Sequence, residues 1–342
     1  MSTFKNIRGK AIKSLASDPS PIVGGDIWYN STSQTLKGMI NLEAWSSGGS
    51  SNINSSSSIS GTQTAALAAL GYTYPPSTPE GGSTTSEEYN GSSWTAGGTA
   101  NTARYQNNSS RTQTATMVLG GAAGTGDAGP YTISSAAEGY NGTAWTSLSS
   151  LPAGRAGSIP MVGTSTSILA TGGNDNTSGE PIDTTFEYSG SWTTGTVYPA
   201  SQNGMGAVGT QTAAFFYGGA RNAPSSTVTA ETQDYNGSSW TSQAALPIAS
   251  RNWGGRSGTQ TACIAACGSP GPGSPNPLSQ QTLNWNGTSW SVSAATTAIA
   301  RNGINSNMSG TNTAALIAKN GSPRLATEEY TLADTTQTFT TS

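Results

Sequence analysis

The chain has no histidine, two cysteines among 342 residues, and charged side chains at only 9% of its positions. Without histidine it lacks the usual general base and metal ligand, and no Ser-His-Asp relay can be built. Cys263 and Cys267 stand four residues apart; on a strand that spacing places them on one face about 13 Å apart, too far for a disulfide. Two buried thiols are expected. No stretch approaches the apolar length needed to cross a membrane, and Met1 to Arg8 lack the apolar run of a secretory signal.

Charge is scarce and unevenly placed. The net charge is −3. Lys5, Arg8, Lys10, Lys13 and Lys37 outnumber Asp18 and Asp26 in residues 1–37, so the remainder is acidic. An acidic body is a poor electrostatic partner for nucleic acid. Gly, Ser, Thr, Asn and Ala fill the space, a composition that on its own points to disorder. Nine Trp and twelve Tyr, many at repeat-locked positions, argue for a folded repeat instead.

The repeat is an aromatic, Asn-Gly, two small residues and Trp. It reads Tyr89-Asn90-Gly91-Ser92-Ser93-Trp94, Tyr140 to Trp145, a shorter Tyr188-Ser189-Gly190-Ser191-Trp192, Tyr235 to Trp240 and Trp285 to Trp290. Trp45 stands alone ahead of them, and the Trp spacings are 49, 51, 47, 48 and 50 residues. A period near fifty made of short strands is the mark of a β-propeller, one repeat per blade. A second phrase, Gly209-Thr210-Gln211-Thr212-Ala213 and its echoes, opens apolar runs such as Ala213 to Tyr217. A third is an acidic residue before the aromatic: Glu88, Glu187, Asp234 and Glu329.

Each repeat thus predicts an inner strand, the Gly-Thr-Gln-Thr turn, a second strand, a long loop, a third strand, a two-residue Asn-Gly hairpin turn and a Trp strand. The last repeat stops at Tyr330-Thr331-Leu332 without its Trp. Residues near 41–46 are expected to supply that outer strand and close a six-bladed ring, removing a free sheet edge. The expected organisation is a basic leader and β-hairpin over 1–40, the propeller over 41–332 and a Thr-rich tail over 333–342.

Gly-Gly after the second strand, then Tyr, Trp and a Leu-Pro segment ending in Arg (Leu151 to Arg155, Leu246 to Arg251) resembles a kelch repeat. The Ser/Thr/Gly richness and Gly-Thr-Gln-Thr turns depart from ordinary kelch and resemble kelch-like propellers of marine bacteriophages. The leader Gly25-Asp26-Ile27-Trp28-Tyr29-Asn30, followed by Leu36-Lys37-Gly38, is similar to a short β-element of phage tail and fibre proteins. The resemblance implies a virion structural or adhesion protein on the particle surface, with trimeric or other homo-oligomeric assembly common among such fibres.

Uniform short turns serve the fold, whereas divergent loops carry function. The loops after the second strands diverge, and they supply Tyr72, Tyr74, Tyr131 and Arg221 as ligand-face candidates. Exposed Tyr suits sugar stacking or protein contact. Arg104, Arg155, Arg251 and Arg301 recur at inner-strand entries, where Gln202 replaces one of them. They either clasp an anion or pair within the repeat with the acids before the aromatics. Trp253 has no counterpart in other repeats and is a contact candidate at the channel mouth.

No motif selects a carboxylate pair for glycoside hydrolysis, and Asn-Gly-Ser-Ser-Trp lacks the aspartate of the sialidase turn. No enzyme activity, cofactor or metal is expected. In the leader, Phe4, Ile7, Ile12 and Leu15 share one helical face beside Arg8. With Trp28 they are the expected anchor to other virion proteins, leaving the loop face for a host glycan or protein. Alternatives are a bacterial surface or secreted lectin-like adhesin, and a glycan-active hydrolase. Neither nucleic acid nor membrane insertion is expected.

Overall fold

In a computed structural model of the chain, the described residues are 12–22, 25–75, 81–123, 132–157, 159–175, 178–221, 227–253, 257–271, 278–301, 308–320 and 322–339. All regular elements among them are strands, and the sheets have a β-propeller-like arrangement. By contact the chain divides into two compact units, Met1–Ala44 with Thr331–Ser342, and Trp45–Tyr330. The boundaries expected at 40 and 332 fall inside the strands Thr35–Ser47 and Thr327–Phe339, so residues 333–339 of the tail are strand.

Within the larger unit, Gly206–Thr210, Ala213–Tyr217, Thr232–Tyr235 and Trp240–Ser242 form an antiparallel meander in chain order. The same order recurs in three further separate sheets, from Ser55–Gly61 to Trp94–Ala96, from Asn108–Ser109 to Trp145–Leu148, and from Met161–Thr164 to Trp192–Thr194. Ser257–Thr259 through Trp290–Val292 repeats it again, but a parallel bridge from Ser257 to Gly310 joins it to Met308–Gly310 and Ala314–Ala318.

The second strands read as unbroken apolar runs because both of their faces are covered. Phe215 and Tyr217 pack with Cys263, Leu283 and Trp285 of the following repeat. Their neighbours Ala214 and Phe216 point the other way and pack with Val162 and Leu169 of the preceding one. Each fully buried Phe contributes roughly 1.5–3 kcal/mol. Both cysteines are free and buried, and burial raises both thiol pKa values.

Two turns set the repeat. Thr210 pairs with Ala213 across Gln211 and Thr212, and Gly209 before them has φ 111°. A Cβ there would lie 2.2 Å from the Ala213 carbonyl oxygen, so glycine is required. The Asn-Gly loop differs from expectation. Tyr89 pairs with Trp94, which makes it a four-residue loop rather than a two-residue turn. Only Gly91 takes a positive φ, 93°; the Asn90 side chain accepts from the Ser92 and Ser93 amides at 3.0 and 2.9 Å and holds the loop instead.

The two ends of this unit meet. Gly48 N–H donates to the Thr327 carbonyl at 2.9 Å. Trp45 and Tyr330 lie 5.3 Å apart between ring centroids, against 5.0 Å for Tyr89–Trp94 and 4.6 Å for Tyr235–Trp240.

In the smaller unit, Lys13–Leu15 runs parallel to Ile27–Asn30, which pairs antiparallel with residues 35–38. Asp18 organises one side, accepting from Asn30 Nδ2 at 2.8 Å, Trp28 Nε1 at 3.0 Å and Lys37 Nζ at 2.9 Å. Ile27, Tyr29, Ile40, Leu42 and Phe339 remain exposed.

Candidate functional site

The repeat-locked arginines do not form a free cationic ring. Arg104 is fully buried and its Nη2 lies 2.8 Å from Glu138 Oε1. Arg301 is equally buried and paired with Glu328. The first repeat has no such arginine; there Lys319 Nζ reaches Glu87 at 2.6 Å. In each case the other carboxylate oxygen accepts a backbone N–H, from Asn101, Ala298 and Asn52 respectively. Burial lowers the Arg104 and Lys319 pKa values while the facing carboxylates oppose the shift.

The pairing acid stands two residues before the aromatic, not directly before it as the sequence pattern suggested. Side chains alternate along a strand. The acid two places back shares a side with the aromatic, and the adjacent acid faces the next repeat. That adjacent acid has its own partner: Tyr140 OH donates to Glu88 at 2.5 Å, Tyr235 OH to Glu187 at 2.5 Å and Tyr89 OH to Glu329 at 2.6 Å.

Arg155 and Arg251 are the exceptions. The pairing position holds Phe186 in one repeat and Leu283 in the other. The Arg155 guanidinium lies 5.0 Å from the Phe186 ring centroid, with its Nε buried and unpartnered. No carboxylate pairs with the half-buried Arg251 among the described residues, and burial lowers its pKa. Arg221 pairs with Glu231, which also accepts from Gln202 at 3.1 Å.

The aromatic candidates divide. Trp253 is 2% exposed, packs with Phe215, Tyr217 and Leu246, and donates to the Ser250 carbonyl; it fills core and offers no face to a ligand. Tyr72 is likewise buried, 5.3 Å from Tyr105. Tyr74 is half-buried beneath Arg324, whose Cζ lies 3.7 Å from the ring centroid. Tyr131 lies outside the described residues. In the expected anchor Phe4, Ile7 and Arg8 also lie outside them. Ile12 is exposed, Leu15 half-buried, and Trp28 is 2% exposed and spent on Asp18.

The turn side carries features that the sequence pattern hid. Where the turn holds a Gln, its side chain reaches back to the preceding repeat. Gln113 Nε2 donates to Ala66 O at 3.1 Å and Tyr89 O at 3.0 Å. Gln211 does so to Ile168 and Tyr188, Gln260 to Ala214 and Tyr235, and Gln63 to Tyr330. Arg111 stands where other repeats have Gly61, Gly209, Gly258 and Gly310. Its Nη2 donates to the Gly258 carbonyl at 2.8 Å, with the Gly209 and Gly310 carbonyls at 3.4 Å. One side chain thereby gathers the inner turns of three other repeats. The signal was present as the one non-glycine at a glycine position.

A cavity of about 410 Å³ opens between the second and third repeats, lined by Thr116, Gly139, Tyr140, Ser165 and Tyr188 among others. Among the described residues, no group of three or more Cys, Asp or Glu is placed to hold a metal ion. No helix among them is long and apolar enough to cross a membrane.

Antiparallel meanders repeated in this order, with ion pairs buried between Arg104 and Glu138, Arg301 and Glu328, and Lys319 and Glu87, define a β-propeller-like protein. No protein-family model and no curated protein matches the chain. Solved structures do: 185 chains match. One, titled "Structure of YjhT", aligns over 85% of this chain and 99% of its own, with a TM-score of 0.61 at 15% identity. At that identity the likeness shows the fold alone.

Proposed function

We propose that the chain is a non-enzymatic, six-bladed, kelch-like propeller displayed on a bacteriophage particle, held by its smaller unit and presenting its divergent loops to a host-surface glycan or protein. The fifth and sixth blades are the two meanders merged through the Ser257–Gly310 bridge. Residues 45–47 serve as the outer strand of the sixth. Contacts of Tyr89 and Gln63 with Glu329 and Tyr330 support that closure. The observation that carries the display role is the smaller unit's exposed apolar sheet side, Ile27, Tyr29, Ile40, Leu42 and Phe339. Such a cluster is what an attachment surface needs. The leader's likeness to phage β-elements supplies the setting.

A particle-association assay tests this. Replacing Ile27, Tyr29 and Leu42 together by Ser should abolish incorporation while the larger unit melts normally; unchanged incorporation overturns the display role. Glycan binding lost on Arg251→Ala would support the loop side as the adhesive one, and turnover of a glycan by the purified protein would overturn the non-enzymatic reading.

A further inference from the structure

The junction between the second and third repeats breaks the repeat in three ways at once. First, the turn position whose glutamine reaches back to the preceding repeat holds Gln63, Gln113, Gln211 or Gln260 in four repeats, Asn312 in the last, and Ser165 here. Ser165 alone carries no carboxamide. Second, the acid before the aromatic is replaced by Gly139, so Tyr188 has no carboxylate in the place that Glu88 occupies for Tyr140. Third, the loop from Tyr188 to Trp192 is one residue shorter than its counterparts. The cavity of about 410 Å³ sits where these departures meet.

Strand register identifies what the missing glutamine would have met. Ala66 pairs with Tyr89, Ile168 with Tyr188 and Ala214 with Tyr235, and those carbonyls accept from the Gln side chains. The equivalent pair here is Thr116 with Tyr140. Both line the cavity, and no side chain donates to either carbonyl among the described residues. Backbone carbonyls have two lone pairs, so a second donor is accommodated beside the ladder bond, as at the other three junctions.

We propose that this cavity recognises a primary carboxamide, the side chain of a glutamine on a partner polypeptide, whose NH₂ donates to the Thr116 and Tyr140 carbonyls as the chain's own glutamines do elsewhere. Ser165 and Tyr188, both lining the cavity, carry the hydroxyls that can donate to its oxygen. A carboxylate cannot donate to two carbonyls, so glutamate is rejected. This pocket lies on the turn side and does not depend on the loop-side adhesion proposed above.

The test uses the full chain and two capped peptides, acetyl-Gly-Gln-Gly-N-methylamide and its Glu counterpart; the methylamide cap avoids a second primary carboxamide. Amide NMR titration should give saturable shifts at 116, 139–141 and 188–190 with the Gln peptide. The Glu peptide should bind at least about tenfold more weakly, the loss expected from two forfeited hydrogen bonds. Ser165→Gln should supply the donor internally, abolish the shifts and raise the melting temperature. Should that variant fail to fold, Thr146→Trp, an exposed position at the cavity wall, should block the site instead. Absence of saturable binding, equal binding of the Glu peptide, or binding undiminished in a folded blocking variant each overturns the proposal.

Discussion

The Tyr89 hydroxyl donates to the Glu329 carboxylate at 2.6 Å across 240 residues of chain, the same bond that joins Tyr140 to Glu88 and Tyr235 to Glu187 between consecutive repeats. A bond that links consecutive repeats at two other junctions here links the first repeat to the last. Burial first, then the Glu329 carboxylate, pushes the Tyr89 phenol up from 10.0 to about 12, and burial with Glu187 does the same to Tyr235. A raised folded-state value means stability that is whole below the unfolded value and lost as pH climbs through the folded one.

Alkaline unfolding is therefore expected between pH 10 and about 12. Tyrosinate absorbance and loss of β-sheet circular dichroism should rise together over that window. Tyr89→Phe should cost about 1 kcal/mol at neutral pH, since it removes a hydrogen bond to a charged, partly solvated partner. Tyr89 or Tyr235 titrating near 10 with the fold intact would contradict the arrangement.

The two classes of arginine separate cleanly on mutation. Glu138→Ala leaves the fully buried Arg104 without its carboxylate, and an uncompensated buried charge should cost about 3–5 kcal/mol in urea unfolding. Arg251→Ala breaks no ion pair among the described residues and should cost less than about 1 kcal/mol. Equal losses would mean that Arg251 has a structural partner.

Strand order and the aromatic hairpins were legible because period and alternation are local. Partner identity was not. The acids at Glu87 and Glu88 look alike in sequence, yet adjacent residues on a strand face different repeats, so one meets Lys319 and the other Tyr140. The role of Arg111 was not legible, since nothing local reveals that an inner turn faces three others across the fold. Trp253 read as a unique contact because uniqueness in a repeat marks either function or a local packing gap. Gly218 supplies such a gap: a Cβ there would lie 2.7 Å from Trp253 Nε1.

Acid should release the Asp18 cluster of the smaller unit only at low pH. Hydrogen bonds from Asn30, Lys37 and Trp28 hold the Asp18 carboxyl down from 3.8 to about 2. A depressed value gives stability present above the unfolded pKa and lost as pH falls through the folded one. Trp28 fluorescence should change below pH 3.8, with its midpoint near 2, and Asp18→Asn should remove that transition. A midpoint at the ordinary carboxylate value would show that the three donors do not hold Asp18 in solution.

The proposed ring closure makes the sharpest claim about the larger unit, because Trp45 stands beside Tyr330, whose repeat lacks its own Trp. Its ring lies 5.3 Å from Tyr330 and its indole N–H donates to Thr282 Oγ1 at 2.9 Å. Trp94 makes the matching bond to Thr327 Oγ1, also at 2.9 Å. Thr282 and Thr327 each stand three residues before their repeat's aromatic, so the two tryptophans are equivalent. Buried Trp94→Ala should cost about 3–5 kcal/mol by loss of packing and the cavity left behind. Half-buried Trp45→Ala should cost roughly half of that by the same accounting. The loss should equal that of deleting residues 1–47 and exceed that of deleting 1–44, read as the urea midpoint of the larger unit. Were Trp45→Ala silent while Trp94→Ala was not, residues 45–47 would be an ornament on the sixth sheet rather than its outer strand.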